Sequence, residues 1–462
     1  MKTLVLGDIL KAIEGELIFG DEKFIIKSVK KRPKVFKKGT LYFHFHKRHP
    51  ITSEFNLNKQ SIVIVSEQTF DDEELGNTGM LVKVENIKES YEKFLDYYRS
   101  LFNIPVVGIT GTAGKTTTKE MLTHILSIDR KVQSTKRSLN AVALNDQYLL
   151  GIDDETEAAV IEMGVSYPGN LRNTGKIFKP QIGIITNIGI AHLEGCKTFE
   201  AYLQAKAEML QALSYGGKLI LNADDDNIKL IDLSSFQGDV IYFGQGAACH
   251  YRACNIQYCD RGLEFQLHCE DDTYSAFISG LGYHNVYNAL AAIAAAHSLG
   301  IEIQVILNRL RSFKHLERHN TIYTGLHEAT IIDDTWNSNP TSAYAALKVL
   351  KEIANGKRTI AILGKLQRLG KQEEAEYVKM GEYLAMSGID ILITVEKEAE
   401  LMGQVALEKG MDISNVLFAY SAEEVEKILS YLLNKNTIAL FKMSLDKMNP
   451  SYRKLLQKIC KE

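Results

Sequence analysis

No stretch of this chain is apolar for long enough to cross a membrane, and neither sign of charge is in clear excess. The opening apolar run is broken by Asp8 and Glu14, which suits neither a signal peptide nor a spanning helix. Lys and Arg number 54 against 57 Asp and Glu, a net charge of -3, so no global field draws the chain to nucleic acid or to an anionic membrane. Low-complexity tracts and short repeats are missing as well. There are six cysteines, and four of them (Cys249, Cys254, Cys259, Cys269) fall near one another without the close C-x₂₋₄-C pairs that hold structural zinc. Buried thiols are the expectation for them. These absences make a cytoplasmic enzyme the expectation, its function carried by specific sites, with no nucleic-acid partner and no membrane insertion; a monomer acting on small molecules is also expected, though composition alone does not require it.

At 462 residues the chain exceeds one ordinary core, and about three domains are expected from length. The pattern divides accordingly. Residues 1–102 mix short apolar strands at 39–43, 61–65 and 80–84 with a helix at 88–101, which reads as a small α/β domain ending at Asn103-Ile-Pro105. Residues 103–318 alternate strand and helix, with near-continuous apolar strands at 106–110, 158–163, 182–187 and 218–222, the signature of a parallel sheet covered on both faces. Within them, 239–280 reads as an antiparallel insertion, followed by a helix with Val286, Ala289, Leu290, Ile293 and His297 on one face. Residues 319–462 repeat the α/β rhythm with strands at 329–333, 358–363, 389–395, 416–419 and 437–441, a Rossmann-like sheet with ligands expected beyond the carboxyl ends of its strands. The basic run Lys30 to Lys38 could touch phosphate groups, but a solvated loop is the expectation.

The most informative segment is Val106-Val-Gly-Ile-Thr-Gly-Thr-Ala-Gly-Lys-Thr-Thr-Thr118, an apolar strand running into a glycine-rich turn and a Lys-Thr helix start. This is a nucleoside triphosphate site in outline. Backbone N–H groups of Gly111, Thr112, Ala113, Gly114, Lys115, Thr116 and Thr117 would wrap phosphates at a helix N-terminus, with Lys115 reaching the β and γ oxygens and Thr116 reaching Mg²⁺. Gly108 sits one position too early for the strict G-x-x-x-x-G-K-[ST] pattern. Three further residues lie near the ends of neighbouring strands. Glu162 closes one strand where a carboxylate can hold the metal, and His192 follows another as a candidate ligand of a second metal, although either alone is more often structural. Lys206 comes about four turns beyond His192 if that segment is helical, where an exposed helix lysine is the ordinary expectation.

The run 108–118, with Ser138-Leu-Asn140, Ile161-Glu-Met-Gly164, 187–195 around His192, Ala205-Lys-Ala-Glu208, Gly282-Tyr-His-Asn-Val-Tyr-Asn288 and Ile332-Asp-Asp-Thr-Trp-Asn-Ser-Asn-Pro340, resembles the Mur ligase family over nearly the whole chain. Order and spacing are nearest to the branch that adds D-alanyl-D-alanine to a UDP-linked muramoyl tripeptide in peptidoglycan precursor synthesis. The resemblance implies a three-domain α/β architecture: an acid-substrate domain, a central P-loop parallel-sheet domain and a Rossmann-like amine-substrate domain. It also implies an ATP- and Mg²⁺-dependent ligase that activates a carboxylate as an acyl phosphate and joins it to an amino acid or dipeptide through an amide. By the same resemblance Lys115, Glu162, His192 and Lys206 are catalytic, Lys206 as a carbamate, and Thr116, Glu162 and His192 serve the metal. Asn140 would position substrate or metal-bound phosphate, Asn285 and Asn288 would bond adenine, and Asp334 and Arg318 would complete the nucleotide site.

Departures fall where substrates are chosen. An S-x-D-S-R segment of the branch reads Ser28-Val-Lys-Lys-Arg32, and its uridine-domain loop is replaced by Phe43-His-Phe-His-Lys-Arg-His-Pro50. The branch's L-G-D-M-x-E-L-G reads Leu363-Gly-Lys-Leu-Gln-Arg-Leu-Gly370, which reverses two charges; its K-G-S reads Lys442-Met443-Ser444, and His315 stands where an arginine is expected. Alternatives are therefore a relative that ligates another acid and amine, and a nucleotide-binding protein without catalysis. The third section is expected to swing onto the second about a hinge at 319–324.

Overall fold

The computed structural model describes residues 1–32, 37–45, 62–70, 79–260, 262–445 and 450–460. Part of the basic run, 33–36, and the end of the segment that replaces the uridine loop, 46–50, lie outside the described residues. The chain forms two compact units.

The first unit comprises Met1–Val106, Arg130–Ala159 and Asn173–Lys179. Its sheet runs in the order Glu16–Phe19, Gly79–Lys83, Ile62–Ser66, Thr40–Phe43, Ser28–Lys30. All pairs are parallel except the first, whose register shifts between Leu17 and Phe19. The helix Ile87–Ser100 starts at Asn86, whose side chain accepts from the N–H groups of Lys88 and Glu89 and so satisfies two orphan donors. Its C-terminal half is tied down by side chain to backbone: Tyr98 Oη donates to the Ile152 carbonyl (2.6 Å) and Arg99 Nε to the Phe178 carbonyl (2.7 Å). Lys31 is committed within this unit. Its Nζ lies 2.5 Å from Asp146 Oδ2 and 4.9 Å from the centroid of Tyr91, whose hydroxyl donates to the same carboxylate at 2.7 Å.

The second unit comprises Val107–Asp129, Val160–Arg172 and Pro180–Glu462, and it holds two sheets. In the first, Ile182–Ile185 pairs in parallel with both Val106–Thr110 and Lys218–Asn222, and Ala158–Glu162 flanks Val106–Thr110 on the other side. These strands are apolar on both faces because helices cover both, as the sequence pattern required. Asp239–Gly244 belongs to this parallel sheet, so the antiparallel insertion begins later, with Tyr251–Cys259, Gly262–Cys269 and Asp272–Ser279. The helix Tyr283–Ser298 is buried on more than one face: Ala289 to Ala296 are all enclosed. Of the clustered thiols only Cys269 is buried; Cys254 and Cys259 are half-buried because alternate residues of the meander face outward, and Cys249 is half-buried in the turn that precedes it.

The second sheet of this unit runs Thr321–Thr324, Thr330–Asp334, Thr437–Lys442, Arg358–Leu363, Ile391–Val395, Val416–Ala419, parallel throughout except for its first strand. Separate apolar clusters cover its two faces, one around Leu347, Met380 and Met402, the other around Val425, Leu429 and Leu455. Of the described residues, no helix is long and apolar enough to cross a membrane.

Candidate functional site

The strand Val106–Thr110 ends in a turn that only glycine can make. Gly111 has φ +144°, and a Cβ there would lie 1.9 Å from Thr186 Oγ1; Gly114 has φ +80°, and its Cβ would lie 2.2 Å from Asn288 Oδ1. The turn is laced to the neighbouring strand end. The Thr112 N–H donates to the Asn187 carbonyl (2.9 Å), the Ala113 N–H to Asn187 Oδ1 (2.9 Å), and Thr186 Oγ1 to the Ala113 carbonyl (2.6 Å). The helix Lys115–Ser127 begins with the Thr118 N–H bonded to the Gly114 carbonyl (2.9 Å), so the N–H groups of Lys115, Thr116 and Thr117 stand at its open N-terminus.

Cationic and oxygen ligands gather around that end. Lys115 Nζ curls back to the carbonyls of Gly111 (2.9 Å) and Thr112 (3.1 Å). Desolvation lowers its pKa, Glu162 opposes that shift and Arg368 adds to it. Thr116 Oγ1 donates to Glu162 Oε2 at 3.0 Å, which pairs a hydroxyl with a buried carboxylate at the end of the adjacent strand. Two hard oxygen groups at this spacing suit Mg²⁺, and the glycine cradle at a helix N-terminus suits a polyphosphate.

Lys206 is enclosed, at 1% exposure, rather than solvated. The segment after His192 is two short helices, Leu193–Cys196 and Phe199–Ala207, broken at Lys197 (φ +71°), and the break turns Lys206 inward. Its Nζ donates to the Gly111 carbonyl (2.8 Å) and to Thr110 Oγ1 (3.1 Å) and lies 5.2 Å from the centroid of Tyr202. Burial, then the charge of Lys115, pushes its pKa well below the ordinary lysine value. The His192 ring stacks on Tyr202 at 14°, with centroids 6.2 Å apart. Desolvation, then Arg368, Lys206 and Lys115, pushes its pKa down to about 2, which keeps the imidazole neutral.

Asn285 and Asn288 reach the loop from the helix Tyr283–Ser298, but their amides are used internally. Asn288 Nδ2 donates to Asn285 Oδ1 (3.0 Å), Asn285 Nδ2 to the Leu281 carbonyl (2.7 Å), and Thr118 Oγ1 to Asn288 Oδ1 (3.4 Å). Arg318 and Asp334 lie at one end of the second sheet. Arg318 Nη2 donates to the Thr335 carbonyl (2.6 Å) with its guanidinium 5.2 Å from the Trp336 ring, and Asp334 pairs with buried Lys442 at 2.7 Å. His284, His315 and His319 are desolvated in the same neighbourhood, with pKa values pushed down, to about 4 for the first two. Asn140 lies in the first unit, its N–H donating to the Ser138 carbonyl at 2.9 Å.

Thr186 and Tyr202, which hydrogen-bond the loop, carry no signal of their own in the sequence, and Arg368 belongs by pattern to the amine-substrate domain. Arg368 Nη1 lies 3.2 Å from His192 Nδ1 and 3.4 Å from Nε2. The reversed charge at that position was the available signal.

Known proteins match this arrangement along most of the chain. The Mur ligase middle domain matches residues 109–296, and the Mur ligase glutamate ligase domain matches residues 317–445. The UDP-N-acetylmuramoyl-tripeptide--D-alanyl-D-alanine ligase of Buchnera aphidicola is 30% identical over 357 residues, covering 77% of this chain and 76% of that one. The Escherichia coli protein of the same name is 30% identical over 319 residues, covering 68% and 70%. The fold is that of MurF from Acinetobacter baumannii, with TM-score 0.84 at 24% identity over 99% of this chain and 100% of that one. The MurF ligase of Thermotoga maritima, solved in complex with ADP, superposes with TM-score 0.78 at 22% identity over 94% and 97%.

Proposed function

From the premise that this chain belongs to the Mur ligase family, we propose that it joins D-alanyl-D-alanine to a UDP-linked N-acetylmuramoyl tripeptide with hydrolysis of ATP, in peptidoglycan precursor synthesis. The observation that carries the reading is the convergence of Lys115, Thr116, Glu162 and Lys206 on one glycine turn. Lys115 and the helix N-terminus would hold the triphosphate, and Thr116 and Glu162, with His192, would hold Mg²⁺. Mg²⁺ held there would supply the charge neutralisation that a substrate carboxylate needs to approach the γ-phosphoryl group. The second reactant is an amine, which takes the activated acyl group.

Lys206 enters this scheme as a carbamate. Burial and the charge of Lys115 lower its pKa and so favour the neutral amine, the form that attacks CO₂: a C–N bond forms, one proton leaves the nitrogen, and an anionic oxygen would stand beside the metal residues. Phosphate release tests the whole reading. Release should require the UDP-linked tripeptide and D-alanyl-D-alanine together. Release with neither, or only with a different acid and amine, would overturn the substrate assignment.

A further inference from the structure

The two charges reversed in the segment Leu363 to Gly370 meet different fates. Lys365 pairs locally with Glu373, Nζ to Oε1 at 3.4 Å. Arg368 has no carboxylate partner among the described residues; its contacts are with the His192 ring. The backbone around it is pinned on both sides. The Leu193 N–H donates to the Arg368 carbonyl (3.0 Å), and the Gln367 N–H donates to the Ser338 carbonyl (2.9 Å). Arg368 itself has φ +63°, a left-handed conformation that a non-glycine residue keeps only where its surroundings impose it. Two residues on, Gly370 runs so close to the same partner loop that a Cβ would meet the Glu194 nitrogen at 3.0 Å.

The result is an exposed guanidinium held against the His192 ring, within electrostatic reach of Lys115 and without a carboxylate of its own among the described residues. Lys115 and Arg368 bring two positive charges to one imidazole there, with buried Lys206 beside them and Glu162 as a facing carboxylate. Such a concentration of like charge is stable when a polyanion sits in it. A planar fork of donors matches phosphoryl oxygens better than a point charge does.

We propose that Arg368 is a catalytic residue of this chain, delivered by the C-terminal sheet to the γ-phosphoryl end of the nucleotide, where it stabilises charge during phosphoryl transfer. The proposal rests on reading Gly111 to Thr117 as the triphosphate site. It differs from an amine-recognition role for the same loop, in which the guanidinium would hold the carboxylate of the incoming dipeptide.

The test uses the full chain with Arg368→Gln and Arg368→Lys, titrated calorimetrically with Mg²⁺ and either adenylyl imidodiphosphate or ADP, with no acid or amine present. Arg368→Gln should weaken the imidodiphosphate about tenfold and leave ADP within about twofold, while kcat falls about 10²-fold or more and the KM for the amine stays within about threefold. Arg368→Lys should restore much of the binding but less of kcat, since it keeps the charge and loses the fork. Equal weakening of both nucleotides would overturn the proposal in favour of a structural role. So would unchanged imidodiphosphate affinity with a raised amine KM. Because the binding arm needs neither acid nor amine, a wrong substrate assignment leaves it readable; a wild-type chain that binds no imidodiphosphate would overturn the triphosphate reading beneath it.

Discussion

Thr116 and Glu162 meet across 3.0 Å, a hydroxyl from the first turn of one helix donating to a carboxylate at the end of the adjacent strand. Forty-six positions separate them in the chain. The strand pairing brings them together, because the Met163 N–H bonds to the Ile109 carbonyl (2.8 Å) and so fixes how far Glu162 reaches past the P-loop strand. Glu162→Gln keeps the shape and the acceptor and removes the charge. It should raise the Mg²⁺ concentration for half-maximal activity at least about tenfold, as expected when a hard cation loses an anionic oxygen. A Mg²⁺ titration of phosphate release that gives the wild-type midpoint would remove Glu162 from the metal site.

Lys115 and Gly114 fail for different reasons, and the difference is measurable. Lys115→Ala removes a cation from the phosphates and should cost at least about 10²-fold in kcat. Gly114→Ala instead drives a Cβ to 2.2 Å from Asn288 Oδ1 at φ +80°, so the turn must shift and nucleotide affinity should fall before chemistry is considered. ADP binding separates them. Near-normal ADP affinity in Gly114→Ala, with the fold intact, would mean the turn tolerates the change and does not bind as described.

His284 and His315 make the fold acid-sensitive. Burial lowers both from the ordinary 6.5 to about 4, so below about pH 6.5 the unfolded chain takes up protons that the folded chain refuses. Stability is therefore fully present above that pH and is lost as pH falls toward 4, by about 1.4 kcal/mol per pH unit for each imidazole. Asp333, whose carboxyl burial pushes upward, works in the opposite sense. Urea unfolding at pH 7 and pH 5 gives the slope, and His315→Gln should make it shallower. An equal slope in wild type and variant would show that His315 titrates alike in both states.

The strands were legible because burial on both faces writes itself as unbroken apolar runs: 218–222, 358–363 and 416–419 in the pattern are the observed Lys218–Asn222, Arg358–Leu363 and Val416–Ala419. The glycine turn was legible too, since Gly111 and Gly114 carry backbone angles that other residues avoid. What local pattern does not hold is the direction of a side chain set by a remote break. Lys206 reads as a surface lysine until Lys197 interrupts the helix, and Arg368 reads as part of the amine domain until the Leu193 hydrogen bond fixes its loop beside His192. Lys31 likewise belongs to a basic run in sequence, whereas a carboxylate 115 positions later claims it.

Lys206 offers the sharpest test of the chemistry. An ordinary lysine is almost wholly protonated at neutral pH and does not react with CO₂, but desolvation and the charge of Lys115 lower the pKa of this one, so its neutral fraction grows as pH rises through that lowered value. Carbamylation, and with it activity, should increase with bicarbonate and increase with pH in the same range. Lys206→Ala should lose at least about 10²-fold in kcat, and a short carboxylic acid should restore part of it by supplying the missing anionic oxygen to the metal residues. Lys206→Glu places a carboxylate on a shorter arm and should respond less to the added acid than the alanine variant. A high-resolution structure of active protein at neutral pH with a free amine at Lys206, together with activity indifferent to bicarbonate, would leave the residue as a buried donor to the Gly111 carbonyl and remove the carbamate from the mechanism.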